Sequence, residues 1–159
     1  MIQTDPEALE GVRMALMSHL FEQKILRPCR LLDQYCPVAV DGTGIVSFDC
    51  PHCEHCLKKT SKKGKTTCFH CVLEAKPVTP EGHALSPGSE RIENPEGDYE
   101  KQDCEHKAFK RLAPKLKKQY PRLPVCIVAD GLYPNETMFK ICEENDWKFI
   151  FTLQDKSLK

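Results

Sequence analysis

The sequence predicts an α/β domain: a mixed sheet with flanking helices, plus a small cysteine-rich zinc-binding hairpin insertion. Three observations carry this. Strand-like runs come first and then alternate with helical ones. Two apolar runs, "PVAVDGTG" at 37–44 and "PVCIVADGLY" at 124–133, stop the same way, in an acid followed by glycine. Five of the ten cysteines crowd into residues 50–71.

The bulk properties bound the problem. A chain of 159 residues fits one domain. With 40% hydrophobic and 29% charged residues it can bury a core and is not a disordered chain. Net charge is zero, so any attraction to nucleic acid or to an anionic membrane must come from local patches. No apolar run approaches the roughly 20 residues of a membrane span. The N-terminus is acidic early and lacks the apolar core of a signal peptide. An intracellular location is expected, where cysteines bind metal or pack in the core more often than they form disulfides.

Residues 1–37 read as an N-terminal helical segment. Asp5 can cap a helix with Pro6 in its first turn, and Leu9, Val12, Leu16 and Leu20 recur at helical spacing through residue 21. That stripe predicts a brace against the core. A second short helix is expected over 22–32. Strands follow at 38–48, at 67–79 and, more weakly, at 83–92, with "TPEG" as a turn between the last two. Residues 89–100 are acidic, turn-rich and expected to be exposed. A helix spans 102–120, where Cys104, Ala108, Leu112 and Leu116 repeat every four beside Phe109 and Ala113. Asp103 is its expected cap and Pro114 an expected kink or break. A strand at 124–130, a helix capped by Asn135 and running to about 145, and a strand at 148–153 complete the order. Met138, Ile141 and Cys142 should face inward from the last helix.

The cysteine-rich stretch has metal-ligand spacing. Cys53-x2-Cys56 and Cys68-x2-Cys71 are separated by eleven residues. Two such pairs can offer four thiolates to a tetrahedral zinc, because each pair turns back on itself. Cys50, His52, His55 and His70 compete as ligands, and a reduced hairpin without metal is the plainer alternative. The intervening "LKKTSKKGKTT" carries five lysines. It suits contact with phosphates or serves as a solvated loop. A second basic run, Lys107, Lys110, Arg111, Lys115, Lys117, Lys118 and Arg122, fits the wet face of its helix.

The two acids, Asp41 and Asp130, are the other candidate site. Asp-Gly is a common turn pair, but two at the ends of apolar strands say more. In mixed sheets, ligands gather at the carboxyl ends of parallel strands. If these two strands are parallel neighbours, both carboxylates meet at one edge and repel unless a cation lies between them. Carboxylates select hard ions such as Mg²⁺. A pair of such ions suits in-line attack at phosphorus.

In their order and spacing, the stretches "AVDGTG", "CEHCLKKTSKKGKTTCFHCVLEAK", "KQDCEHKAFKRL" and "ADGLYPNE" resemble the DDE transposases of bacterial insertion sequences. The likeness is to the subgroup with a cysteine pair after the first catalytic strand. They span roughly residues 38–153. The resemblance implies a ribonuclease H-like fold over 38–159, with the cysteine-rich hairpin at 50–71. It implies that Asp41 and Asp130 are the first two acids of a catalytic triad holding Mg²⁺ or Mn²⁺. It implies DNA strand cleavage and strand transfer at transposon ends, with transposon-end DNA and a second subunit as partners in a homodimer. A cytoplasmic, nucleoid-associated location goes with it.

The sequence departs from that pattern. The family's third acid, a glutamate on a helix after the last strand, has no place before Lys159. Glu136 is too close to Asp130, and Glu90 and Glu93 precede the central helix. A truncated core, inactive by itself, is therefore expected. Among the zinc candidates Cys53, Cys56, Cys68, Cys71 and His70, His70 matches a family position, while Cys68 and Cys71 stand where aromatic residues are usual. A Cys53, Cys56, His70 set with a fourth ligand from Cys50, His52, Cys68 or Cys71 is the alternative. For Lys101, Asp103 and Glu105 of "KQDCE", capping and helix-start electrostatics are the expected roles, with a catalytic-edge contact as the other possibility. Two further functions compete: a zinc-stabilised DNA-binding protein without chemistry, and a phosphate loop of the sugar-kinase or actin type at "VAVDGTG".

Overall fold

A computed structural model describes residues 5–83 and 85–153. It is an α/β fold built on a six-stranded mixed sheet with three α-helices. The strands are β1 (Cys36–Phe48), β2 (Leu57–Thr60), β3 (Thr66–Pro77), β4 (Gly88–Ile92), β5 (Val125–Ala129) and β6 (Lys148–Phe151). The helices are α1 (Pro6–Glu22), α2 (Glu105–Gln119) and α3 (Glu136–Glu144).

The sheet runs in the order β2-β3-β1-β5-β6, with β4 also on β3. β1 pairs antiparallel with β3 and parallel with β5, and β5 pairs parallel with β6. The outer edge of β3 is shared. β2 lies on residues 66–69 and β4 on residues 71–75, both antiparallel. The strand at 57–60 lies between two of the expected strands, hidden in a lysine-rich stretch with no apolar alternation.

Alternation places the core. Cys36, Val38 and Val40 of β1 are buried on one face, as are Leu73 and Ala75 of β3. β5 is buried nearly throughout, which suits a strand flanked on both sides. Helix α2 lies over β3 and β4 and buries Ala108, Phe109, Leu112, Ala113 and Leu116, the stripe its spacing predicts. Gly88 allows this close approach: a Cβ there would stand 2.6 Å from Leu116 Cδ2. Asn135 caps α3 by accepting from the Met138 amide at 3.1 Å, and Met138 and Cys142 are fully buried. No helix among the described residues is long and apolar enough to cross a membrane.

Several expectations are corrected. Leu9, Val12 and Leu16 of α1 are exposed, and the helix reaches the core through Met17, Leu20 and Phe21. The stretch 22–32 holds only a short 3₁₀ turn, Arg27–Cys29. Lys24, Leu32 and Asp33 have positive φ, which breaks any longer helix. Helix α2 runs through Pro114 unbroken and begins at Glu105, with Cys104 as its N-cap. Cys104 is exposed, so the four-residue repeat loses its first member to the surface. Asp41 does not end its strand, because β1 continues to Phe48. The final strand stops at Phe151, and residues 154–159 lie outside the described part.

Candidate functional site

The two acids come from adjacent parallel strands. The β1–β5 ladder pairs Cys36 with Val125 and continues in step to Ala39 with Val128. The same step carries Asp41 opposite Asp130, one residue past the end of β5. Both are exposed. Asp130 Oδ1 accepts the Leu132 amide at 2.9 Å, so this acid also shapes the turn that follows it.

A third carboxylate joins them from α2. Glu105 packs directly over Gly42, where an added Cβ would stand 2.4 Å from Oε1. The missing side chain is what lets α2 bring its first residue down onto β1 at Gly42. Glu105 Oε2 accepts from the Tyr133 hydroxyl at 2.8 Å. Tyr133 is fully buried. Burial raises its hydroxyl pKa far above the ordinary value, helped by the hydrogen bond to Glu105 and by the charges of Glu105, Asp41 and Asp130. One buried hydroxyl thus senses all three acids. His106, next along α2, donates from Nε2 to the Leu132 carbonyl at 2.7 Å and ties the helix start to the loop after β5.

The three acids are spaced more widely than the cysteine–histidine group described next, whose ligand atoms all lie within 4.8 Å of one another.

That group is Cys53, Cys56 and His70. Cys53 Sγ lies 3.7 Å from Cys56 Sγ. His70 Nε2 lies 3.5 Å from Cys53 Sγ and 3.4 Å from Cys56 Sγ. With Zn–S bonds of about 2.3 Å and Zn–N of about 2.0–2.1 Å, a tetrahedron has S–S edges of about 3.8 Å and S–N edges of about 3.6 Å. The three measured edges match. Burial raises the Cys56 thiol pKa, but backbone hydrogen bonds from His52 and Cys53, the Cys53 side chain and the charge of Lys58 bring it below its ordinary value. This group can hold a metal such as zinc.

Cys68 and Cys71 lie outside it. Neighbours on a strand face opposite sides. His70 faces the knuckle, while Cys71 sits with Phe69 against the hydrophobic core, and burial pushes its thiol up. Cys68 is on the His70 face, two residues away and buried. Cys50 and His52 are exposed, with the His52 ring stacked on Phe48 at 4.4 Å. His55 donates from Nδ1 to the Asn94 carbonyl at 2.8 Å, and forms a second, more open group with Glu54 and Glu96.

The two sites are joined through the "KQDCE" segment. The Gln102 side chain pairs with both backbone groups of Lys58, accepting from its amide at 2.9 Å and donating to its carbonyl at 3.0 Å. It acts as a one-residue strand on β2. Asn94 is fully buried and does the same for the knuckle: its side chain donates to the Cys56 carbonyl at 2.7 Å and accepts the Asp103 amide at 3.0 Å. Asp103 is buried, accepts from Arg111 Nη2 at 2.6 Å and from the Glu93 amide at 3.2 Å, and does not cap α2. Its hydrogen bond with Arg111 is the chief reason the guanidinium pKa is pushed up. Glu105 follows at the acid site. Gln102, Asp103 and Glu105 therefore have separate structural tasks, which their adjacency in sequence conceals.

No protein-family profile and no curated protein sequence matches this chain.

Proposed function

We propose that this chain is the catalytic core of a DNA transposase of the DDE type, cutting DNA and transferring strands at transposon ends. The observation that carries this is the parallel pairing of β1 with β5, from Cys36 with Val125 to Ala39 with Val128, with Asp41 and Asp130 each two residues further along its chain. The strand order β4-β3-β1-β5-β6, with β3 alone reversed among β3, β1, β5 and β6, supports a ribonuclease H-like fold. Glu105 serves as a third acid of the site in this reading.

In this reading Asp41, Asp130 and Glu105 hold Mg²⁺ or Mn²⁺. Bound there, the ions supply Lewis-acid activation of the attacking hydroxyl and stabilise the leaving oxygen. Asp41 and Asp130 hold their charges on rigid strands. Tyr133 orients Glu105 by donating to one oxygen, leaving the other directed toward Gly42 and the acid site. Zinc at Cys53, Cys56 and His70 is structural, fixing the base of the hairpin. The partners are transposon-end DNA and a second copy of the chain, in a DNA-bound cytoplasmic complex.

The test is Mn²⁺ binding followed by plasmid nicking. The parent should bind Mn²⁺ and nick supercoiled DNA, and Asp41→Asn and Asp130→Asn should each lose both. Unchanged Mn²⁺ binding in both variants would remove the shared metal site. DNA binding without nicking at any Mn²⁺ concentration would favour the second reading, a zinc-stabilised DNA-binding protein without chemistry.

A further inference from the structure

We infer that the β2–β3 hairpin is a grip for the phosphate backbone of a DNA duplex, holding it at a set distance from the acids; this rests on the proposed function. Residues 56–73 contain five lysines and no acid, in a chain whose net charge is zero. Lys58, Lys59, Lys62, Lys63 and Lys65 are all exposed. Of these five lysines only Lys65 has an ion pair with an acid among the described residues, Asp49, at 2.9 Å between two largely exposed side chains. A solvated face on a neutral protein normally mixes its signs, as where Lys115 and Arg111 of α2 both pair with Glu90 of β4. The hairpin does not.

The hairpin is also held rigidly. Its strands pair from Leu57 with Phe69 to Thr60 with Thr66. The turn is closed by the Ser61 amide on the Lys65 carbonyl at 2.9 Å, with Gly64 at positive φ. Zinc at Cys53, Cys56 and His70 would fix its base, and Gln102 clamps the outer edge of β2 to the lead-in of α2. Lysines on such a frame lose little freedom of position when they meet phosphates, which a loose loop would not spare.

The distance follows from the register. Asp41 pairs with Glu74 on β3, and the strand leaves the turn at Thr66. Eight residues of strand at about 3.3 Å each span about 26 Å. A duplex rises about 3.4 Å per base pair, so the lysines would meet phosphates about eight base pairs from the cleavage point.

The experiment is salt-dependent binding of a short fluorescein-labelled duplex, read by anisotropy. The test variant carries Lys58→Gln, Lys59→Gln, Lys62→Gln and Lys63→Gln. A control removes the same charge elsewhere: Lys110→Gln, Lys118→Gln, Arg122→Gln and Lys148→Gln, all exposed. Each lost phosphate contact should make the slope of log affinity against log salt shallower by about 0.9, so the test variant should lose about 2–4 in slope. The control should change it by much less. If the parent binds and the test variant keeps its slope, the grip is wrong while the transposase reading stands. An equal loss in the control would reduce the effect to net charge and also overturn it. A parent that fails to bind DNA even at low salt would overturn the proposed function, and the grip with it.

Discussion

Replacing Gly42 by alanine tests whether Glu105 is held as the fold requires. The new Cβ would stand 2.4 Å from Glu105 Oε1 and 2.7 Å from Cδ, whereas ordinary contact begins at 3.4 Å. β1 is hydrogen-bonded to β3 at this point, so the flexible carboxylate gives way, by about 1 Å. Moving a 2.8 Å Tyr133–Glu105 contact that far along its axis exceeds the 3.5 Å or so at which a hydrogen bond ends. A bond to a charged acceptor is worth about 1.5–3 kcal/mol. Alanine regains about 0.5–1 kcal/mol over glycine within a strand. The net loss is about 1–2 kcal/mol, a fall in Tm of about 2–8 °C for a chain of this size. Calorimetry reads the single variant, and a cycle with Tyr133→Phe identifies the cause. Once the hydroxyl is gone, Gly42→Ala has no bond to break and should instead raise stability by about 0.5–1 kcal/mol. A parent-like Tm for Gly42→Ala, or losses that simply add in the double variant, would refute the reasoning.

Zinc removal and alkaline pH give the remaining predictions. Strong chelator should lower Tm, since binding energy at a structural site is folding energy; metal analysis should find bound zinc in the parent and in Cys71→Ser, and none in Cys53→Ser or His70→Ala. Retained zinc in the last two would move the site elsewhere. At high pH the effect comes from buried acids of the weak kind. Burial pushes the thiols of Cys36 and Cys142 from 9.0 up to about 11, and the Tyr120 hydroxyl from 10.0 up to about 12. The native state keeps these protons while the unfolded chain releases them. Stability is therefore full below about pH 9 and is lost as pH rises toward 11 and 12, by about 1.4 kcal/mol per pH unit for each group in its window. Cys142→Ala should flatten the fall between pH 9 and 11. A melting temperature that does not change over that range would contradict the burial of these groups.

The sheet and the two later helices were legible because their patterns are periodic. β1, β3, β5, α2 and α3 bury residues at the intervals their sequences show. The two strands of one design, β1 and β5, do lie parallel side by side. What escaped depended on contacts made at a distance. The stripe Leu9, Val12, Leu16 and Leu20 has helical spacing, yet only Leu20 of the four packs against the core, beside Met17 and Phe21. Asp103 has the chemistry of a cap, but Arg111 and the Glu93 amide claim it first. Glu105 stood open between helix-start electrostatics and a catalytic-edge contact, because its contact with Gly42 depends on where α2 lands. One part could have been read: in a strand, His70 and Cys71 must face opposite sides, so both cannot point to one metal.

β3 belongs at once to the hairpin and to the core. It runs from Thr66 beside the lysine turn to Pro77, past Leu73 and Ala75 at the centre of the sheet. β1 accompanies it as far as Phe48, opposite Cys68. The hairpin is thus an overhang of the two central strands, like the cantilevered end of a beam whose other end is set in masonry. β3 is continuous through the join, while β1 has one register shift there, between Gly44 and Val46. A load applied at the tip is carried as bending into the strand that bears Asp41, and the anchored core sets how far the tip can yield.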